Sequence, residues 1–89
     1  MRYCIEYLAS VVKTDMPKLS QAVKKRLRKA IEERLAVNPV EYGKPLRYSM
    51  KGCRRLRVGD YRIIYKIEAT KKIVLIVKIG HRREVYEQE

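Results

Sequence analysis

The chain has 89 residues, with 22 Lys and Arg against 10 Asp and Glu and a formal net charge of +12, which points to a polyanionic or acidic partner. Its 46% hydrophobic content excludes intrinsic disorder and suffices for one two-layer core in a single domain spanning residues 1–89. No run approaches the roughly eighteen apolar residues of a membrane span, and Cys4 and Cys53, far apart with only His81 as a companion ligand, argue against a zinc site.

The amino terminus MRYCIEYL lacks the apolar stretch of a signal peptide, so a cytoplasmic protein with reduced thiols is expected. Arg2 to Tyr7 alternates, with Tyr3, Ile5 and Tyr7 on one side, and predicts a first strand. Val11 to Asp15 predicts a short helix stopped near Met16-Pro17. From Lys18 onward, Leu19, Val23, Leu27, Ile31 and Leu35 recur at helical spacing, so a long amphipathic helix runs to about Ala36 and ends at Asn38-Pro39. Val40 to Lys51 reads as a loop with some extended structure around Leu46 to Tyr48. Strands are expected at 54–58, 61–68 and 73–79, with a turn over Ala69 to Lys72. The last of them, IVLIVKI, is apolar at both parities except for Lys78, as an interior strand should be. The order β-α-α-β-β-β argues for an α+β domain, its two helices packed on one face of a mainly antiparallel twisted sheet.

Within RRLRVGDYR, Gly59-Asp60 suits a two-residue hairpin turn. Val58 then pairs with Tyr61, Arg57 with Arg62, Leu56 with Ile63 and Arg55 with Ile64, so Arg55, Arg57, Arg62 and Ile64 share the face away from the helices. Like charges opposed across an antiparallel pair cost roughly 0.2–1 kcal/mol. A shallow basic concavity that tolerates this cost is suited to an anion.

A second cluster, GHRREVYE, follows the most apolar strand, and His81, Arg82 and Tyr86 are expected to reach the same open face. Arginine suits a phosphodiester because its planar guanidinium gives two parallel hydrogen bonds and keeps its charge, and for that reason it cannot be a general base. For metal-free attack by a 2′-hydroxyl, His81 and Tyr86 are the candidates for proton transfer. Histidine titrates near neutrality, whereas tyrosine needs neighbouring cations to lower its pKa from about 10. The cations Lys51, Arg54 and Arg83 complete the candidate phosphate-binding set, and the exposed helix face with Lys24, Lys25, Arg26, Arg28 and Lys29 reads first as a solvated surface.

Taken together, GKPLRYSMKGCRRLRVGDYRIIYKI followed by VKIGHRREVYE resembles the RelE branch of the RelE/ParE toxins, the toxic halves of type II toxin–antitoxin pairs. The resemblance covers essentially the whole chain and implies a RelE-like microbial ribonuclease-type fold. It implies a ribosome-dependent endoribonuclease that cuts messenger RNA in the A site by 2′-hydroxyl attack and so inhibits translation, with no metal or other cofactor. Its implied partners are a cognate antitoxin in a hetero-oligomer, the ribosome with its RNA, and messenger RNA, but no membrane. By position, Arg62 resembles the arginine that contacts the scissile phosphate, Arg82 the one that stabilises the transition state or leaving group, and Tyr86 the tyrosine that stacks on a base and assists proton transfer. Arg55 falls on a commonly basic strand position, and Cys53 stands where the family has another cation, a gap that Lys51 or His81 would fill. Two alternatives stay open: a non-catalytic, gyrase-directed inhibitor like the ParE branch, and an inactivated toxin that retains antitoxin binding.

Overall fold

The computed structural model describes residues 2–47 and 50–83. The first strand, β1 (Cys4–Tyr7), leads into a helical turn at Val11–Asp15 that tightens at Met16–Lys18. Helix α1 (Gln21–Ala30) starts where the Ser20 hydroxyl accepts the Val23 N–H at 3.2 Å, satisfying one of the donors that every helix start leaves over. The chain winds on through a wider turn at Ile31–Leu35, where the Ala36 N–H reaches back to the Ile31 carbonyl.

Two small elements occupy the segment expected to be a loop. Asn38 caps a four-residue helix α2 (Pro39–Tyr42), accepting the Glu41 N–H, and Pro39 fits the first helical position because its missing N–H has no role there. The extended piece is β2 (Lys44–Pro45), earlier in the chain than expected around Leu46 to Tyr48; Tyr48 lies outside the described residues. β3 (Arg54–Val58), β4 (Tyr61–Glu68) and β5 (Ile73–His81) follow, the last running two residues beyond its expected end.

The five strands form one sheet in the order β1-β5-β4-β3-β2. β1 lies parallel to β5, while every other pairing is antiparallel. The helical side of the sheet carries Leu56, Val58, Ile63, Tyr65, Val74, Ile76 and Ile79, packed on Val11, Leu27, Ile31 and Leu35. Ile76 and Ile79 are an odd number of positions apart yet belong to the same core. An irregularity explains this: Ile64 pairs with Lys78 but Tyr65 pairs with Ile76, so Val77 is an extra residue that switches the strand's parity. The apolar run at both parities therefore reflects a bulge as well as an interior position.

The opposite face is less open than the arginine alternation implies. Ile64 and Val77 fall on it, and Leu46, Met50 and Cys53 pack against them, with Leu46, Cys53 and Ile64 buried. The hydrophobic effect requires this cover, since bare Ile64 would forfeit roughly 1.5–3 kcal/mol of burial. Cys53 is thus packed among apolar side chains, whereas Cys4 is exposed.

Tyr65 ties the short helix to the sheet. It is fully buried, and its hydroxyl donates to the Pro39 carbonyl at 2.6 Å. Burial raises its pKa from the ordinary tyrosine value, partly offset by the hydrogen bond and charge of Arg54. Gly43 passes so close that a Cβ there would stand 1.8 Å from the tyrosine oxygen. Gly43→Ala is accordingly expected to cost about 1–3 kcal/mol of stability, as other overpacking does, read as a lower urea midpoint; an unchanged midpoint would contradict the contact. Above pH of about 10 the unfolded chain releases a tyrosine proton that the native chain still holds, so stability present below that pH is lost as pH rises through the native pKa. The fall in Tm between pH 8 and pH 10.5 should therefore be smaller in Tyr65→Phe.

Candidate nucleic-acid interface

Gly59 adopts φ of +60°, the left-handed conformation that a two-residue turn demands and glycine supplies. From that turn the register follows as the alternation predicts: Val58 opposite Tyr61, Arg57 opposite Arg62, Leu56 opposite Ile63 and Arg55 opposite Ile64. Arg55, Arg57 and Arg62 consequently share the face away from the helices, Arg57 exposed and the other two half-buried. The turn is also braced from the helical layer, because the Arg26 guanidinium lies where a Cβ on residue 59 would come within 2.6 Å of it.

The end of β5 meets the same turn. The Arg82 N–H donates to the Asp60 carbonyl at 2.8 Å, and the Arg82 guanidinium stands 4.0 Å from the Asp60 carboxylate. Gly80 pairs with Arg62, which brings a strand position without a side chain next to that arginine. Arg82 is therefore held at the hairpin tip. Arg83 and Lys51 are exposed, the latter in the turn before β3.

His81 goes elsewhere. It pairs directly with Tyr61, meets that ring edge-on at 5.5 Å between centroids, and so lies on the helical side of the sheet and not with the arginines. The extra residue at Val77 and the longer strand put it there, since directly opposed residues of an antiparallel pair share a face. Its Nδ1 accepts the Arg83 N–H at 3.2 Å, a contact that fixes the ring's orientation. Arg54 also departs from the expected set: it sits at the helical side and donates to the Val40 and Gly43 carbonyls at 2.6 and 2.8 Å. Tyr86 lies outside the described residues.

Asp15 is a residue that the sequence did not single out. It is buried, one carboxylate oxygen accepting the Ile79 N–H at 3.0 Å and the other receiving Lys78 Nζ at 3.2 Å. β1 stops pairing at Tyr7 opposite Ile76, so this carboxylate takes over the edge of β5 where the backbone partner ends. The pairing holds the strand that presents Gly80 to Arg82. Among the described residues, no three His, Cys, Asp or Glu side chains gather as a metal-binding group, and no helix is long and apolar enough to cross a membrane.

A helical layer covers one side of this five-stranded sheet, and cations gather on the other side and at the end of β5. The family model described as the ParE toxin of type II toxin–antitoxin system parDE matches residues 6–86, and the chain belongs to that family. Toxin RelG of Mycobacterium tuberculosis is 36% identical over 52 residues, 58% of this chain and 60% of that protein. Toxin RelE of the same organism is 41% identical over 49 residues, 55% of this chain and 50% of that protein. The chain thus spans between half and three fifths of the curated relatives it matches. Among solved structures, the Mycobacterium tuberculosis RelBE2 toxin–antitoxin complex superposes with a TM-score of 0.86 at 27% identity, covering 92% of this chain and all of that one. An archaeal RelE–RelB complex from Pyrococcus horikoshii gives 0.72 at 25% identity over 96% of this chain, again covering all of that one.

Removing the Asp15 carboxylate leaves the Ile79 N–H buried without an acceptor. Asp15→Ala is expected to destabilise the fold by about 1–3 kcal/mol, while Asp15→Asn, which keeps an acceptor oxygen, should lose less. Denaturant unfolding of both variants checks the order, and equal losses would count against the strand-edge role.

Proposed function

We propose that the chain is the toxin of a type II toxin–antitoxin pair and cleaves messenger RNA on the ribosome without a metal. The observation that carries this reading is the cationic face: Arg57 opposite Arg62 with Arg55 beside them, beneath a strand end that fixes Arg82 at the hairpin tip. The RelE and RelG names of the curated relatives support the RNA-directed branch.

In the proposed reaction a ribose 2′-oxygen attacks the neighbouring phosphorus, the P–O5′ bond breaks, and the products are a 2′,3′-cyclic phosphate and a free 5′-hydroxyl. Arg62 holds the non-bridging oxygens, and Arg82 offsets the charge that develops on the phosphoryl and leaving oxygens. One proton must leave the 2′-hydroxyl and one must reach the departing oxygen. With Nδ1 of His81 accepting from Arg83 and the ring on the helical side, away from the arginines, the histidine has a structural part in this scheme. Tyr86, by the family resemblance, is the remaining candidate for proton transfer. Lys51, Arg55, Arg57 and Arg83 serve the RNA backbone in this scheme, while Arg54, engaged with Val40 and Gly43, serves the fold.

The solved relatives superposed above are toxin–antitoxin complexes, which supports a cognate antitoxin as the partner that restrains this activity. The matching family model is that of ParE, and this favours a second reading in which the chain is a non-catalytic inhibitor of gyrase.

Primer extension on messenger RNA bound to programmed ribosomes separates the two. Cuts should require the ribosome and fall by about 10²–10³-fold in Arg62→Ala and in Arg82→Ala. A folded protein that leaves the message intact yet remains toxic, with Arg62→Ala equally toxic, would transfer the assignment to the gyrase-directed reading.

A further inference from the structure

Three clefts lie side by side along the outer edge of the sheet. The first, about 320 Å³, opens between α1 and the hairpin and is lined by Arg26, Lys29, Arg34 and Arg57, with Glu33 as its carboxylate. The second, about 220 Å³, shares Arg34 and Arg57 with the first and adds Tyr42, Lys44 and Arg55. The third, about 360 Å³, shares Lys44 and Arg55 with the second and adds Pro45 and Arg47. Because each cleft shares cations with the next, they form one band that starts on the helical layer, crosses the edge of β3 and ends on the face that carries Arg55.

Sheet topology accounts for the opening. β2 pairs with Arg54 and Arg55 alone, so the rest of β3 is the outer edge and the helical layer stands off from it. Among the described residues that line the band, one carboxylate stands against seven cations. Tyr42 lies in the middle of it, 51% exposed although its ring is large and apolar. A purely acidic peptide would pair with the charges and leave the ring unused. A nucleic-acid duplex would present phosphates but keep its bases stacked. A single strand uses both, its phosphates on the cations and an unstacked base on the aromatic face.

We propose that this edge is a binding track for single-stranded RNA, with the backbone on Lys29, Arg34 and Lys44 and a base stacked on Tyr42. The proposal rests on the RNA-directed reading above and extends it: the strand cleaved at the cationic face continues around the sheet edge, and the track grips it without help from the ribosome.

The test uses the full chain and a fluorescein-labelled 12-nucleotide single-stranded RNA, its affinity measured by anisotropy from 50 to 200 mM salt. Lys29, Arg34, Lys44 and Tyr42 are all exposed, so their variants are expected to melt at the wild-type temperature. The triple variant Lys29→Gln, Arg34→Gln, Lys44→Gln should flatten the slope of log K against log salt by about 2, since each lost phosphate contact on a single strand removes about 0.7. Tyr42→Ala should weaken binding about tenfold with its salt slope unchanged, within the range expected for one stacked base. A wild-type protein that fails to bind at 50 mM salt, or a triple variant with unaltered affinity and slope, would overturn the track. So would equal binding of a 12-base-pair duplex combined with no effect of Tyr42→Ala. Because no ribosome is present, this outcome is independent of the primer-extension result: the track can fail while Arg62-dependent cleavage stands, and the reverse.

Discussion

The turn at Gly59 and Asp60 is the constraint from which the cationic surface follows. A two-residue loop permits one register, and with a side-chain period of two that register decides the face of every residue in β3 and β4. With β4 held by β5, a single added residue would send Arg55 and Arg57 into the helical core and expel Leu56 and Val58 from it. The arginines are therefore held in place by the burial of their neighbours, and the repulsion between Arg57 and Arg62 is small beside that burial. Arg26 from the helix and Arg82 from the end of β5 converge on the same turn, so three parts of the chain report to one corner.

β4 shows what the opposite face demands. Ile63, Ile64 and Tyr65 are all fully buried, which makes it a strand covered on both sides in a protein with helices on only one. Leu46, Met50 and Cys53 supply the missing cover. Cys53 has an apolar packing role in that cover, where a cation at the same place would have to be buried. The presence of Cys53, and not a cation, at this place is thus coupled to how this chain closes its own sheet.

Much of this was legible in the sequence, for reasons that are local. The hairpin register needed only a Gly-Asp turn and alternation, and the long helix only a 3.6-residue repeat from Leu19 to Leu35. The short helix and β2 fall below the length at which periodicity can be read, and Asn38-Pro39, which was read as a terminator, also starts the next helix. His81 was expected on the open face as part of a short tail after residue 79; β5 instead runs on to His81, and the extra residue at Val77 turns it to the helical side. Asp15 carries its meaning in a contact with Lys78 and Ile79, far along the chain, and Arg54 in contacts with backbone carbonyls. Neither leaves a trace in spacing. The cations of the edge band are drawn from a helix, a loop and a strand, so only the fold gathers them.

The pairing of β1 with β5 also bears on when the molecule comes into being. β1 lies against β5, Cys4 beside Ile73, so its place stays vacant until β5 has been made. At about 5–20 residues per second that interval lasts seconds, and non-local closure of this kind folds late. An unfinished chain holds the β3–β4 hairpin but lacks the strand that puts Gly80 beside Arg62 and Arg82 against Asp60. The order of translation thereby acts as a timer: the cationic corner is completed only once β5 has been made.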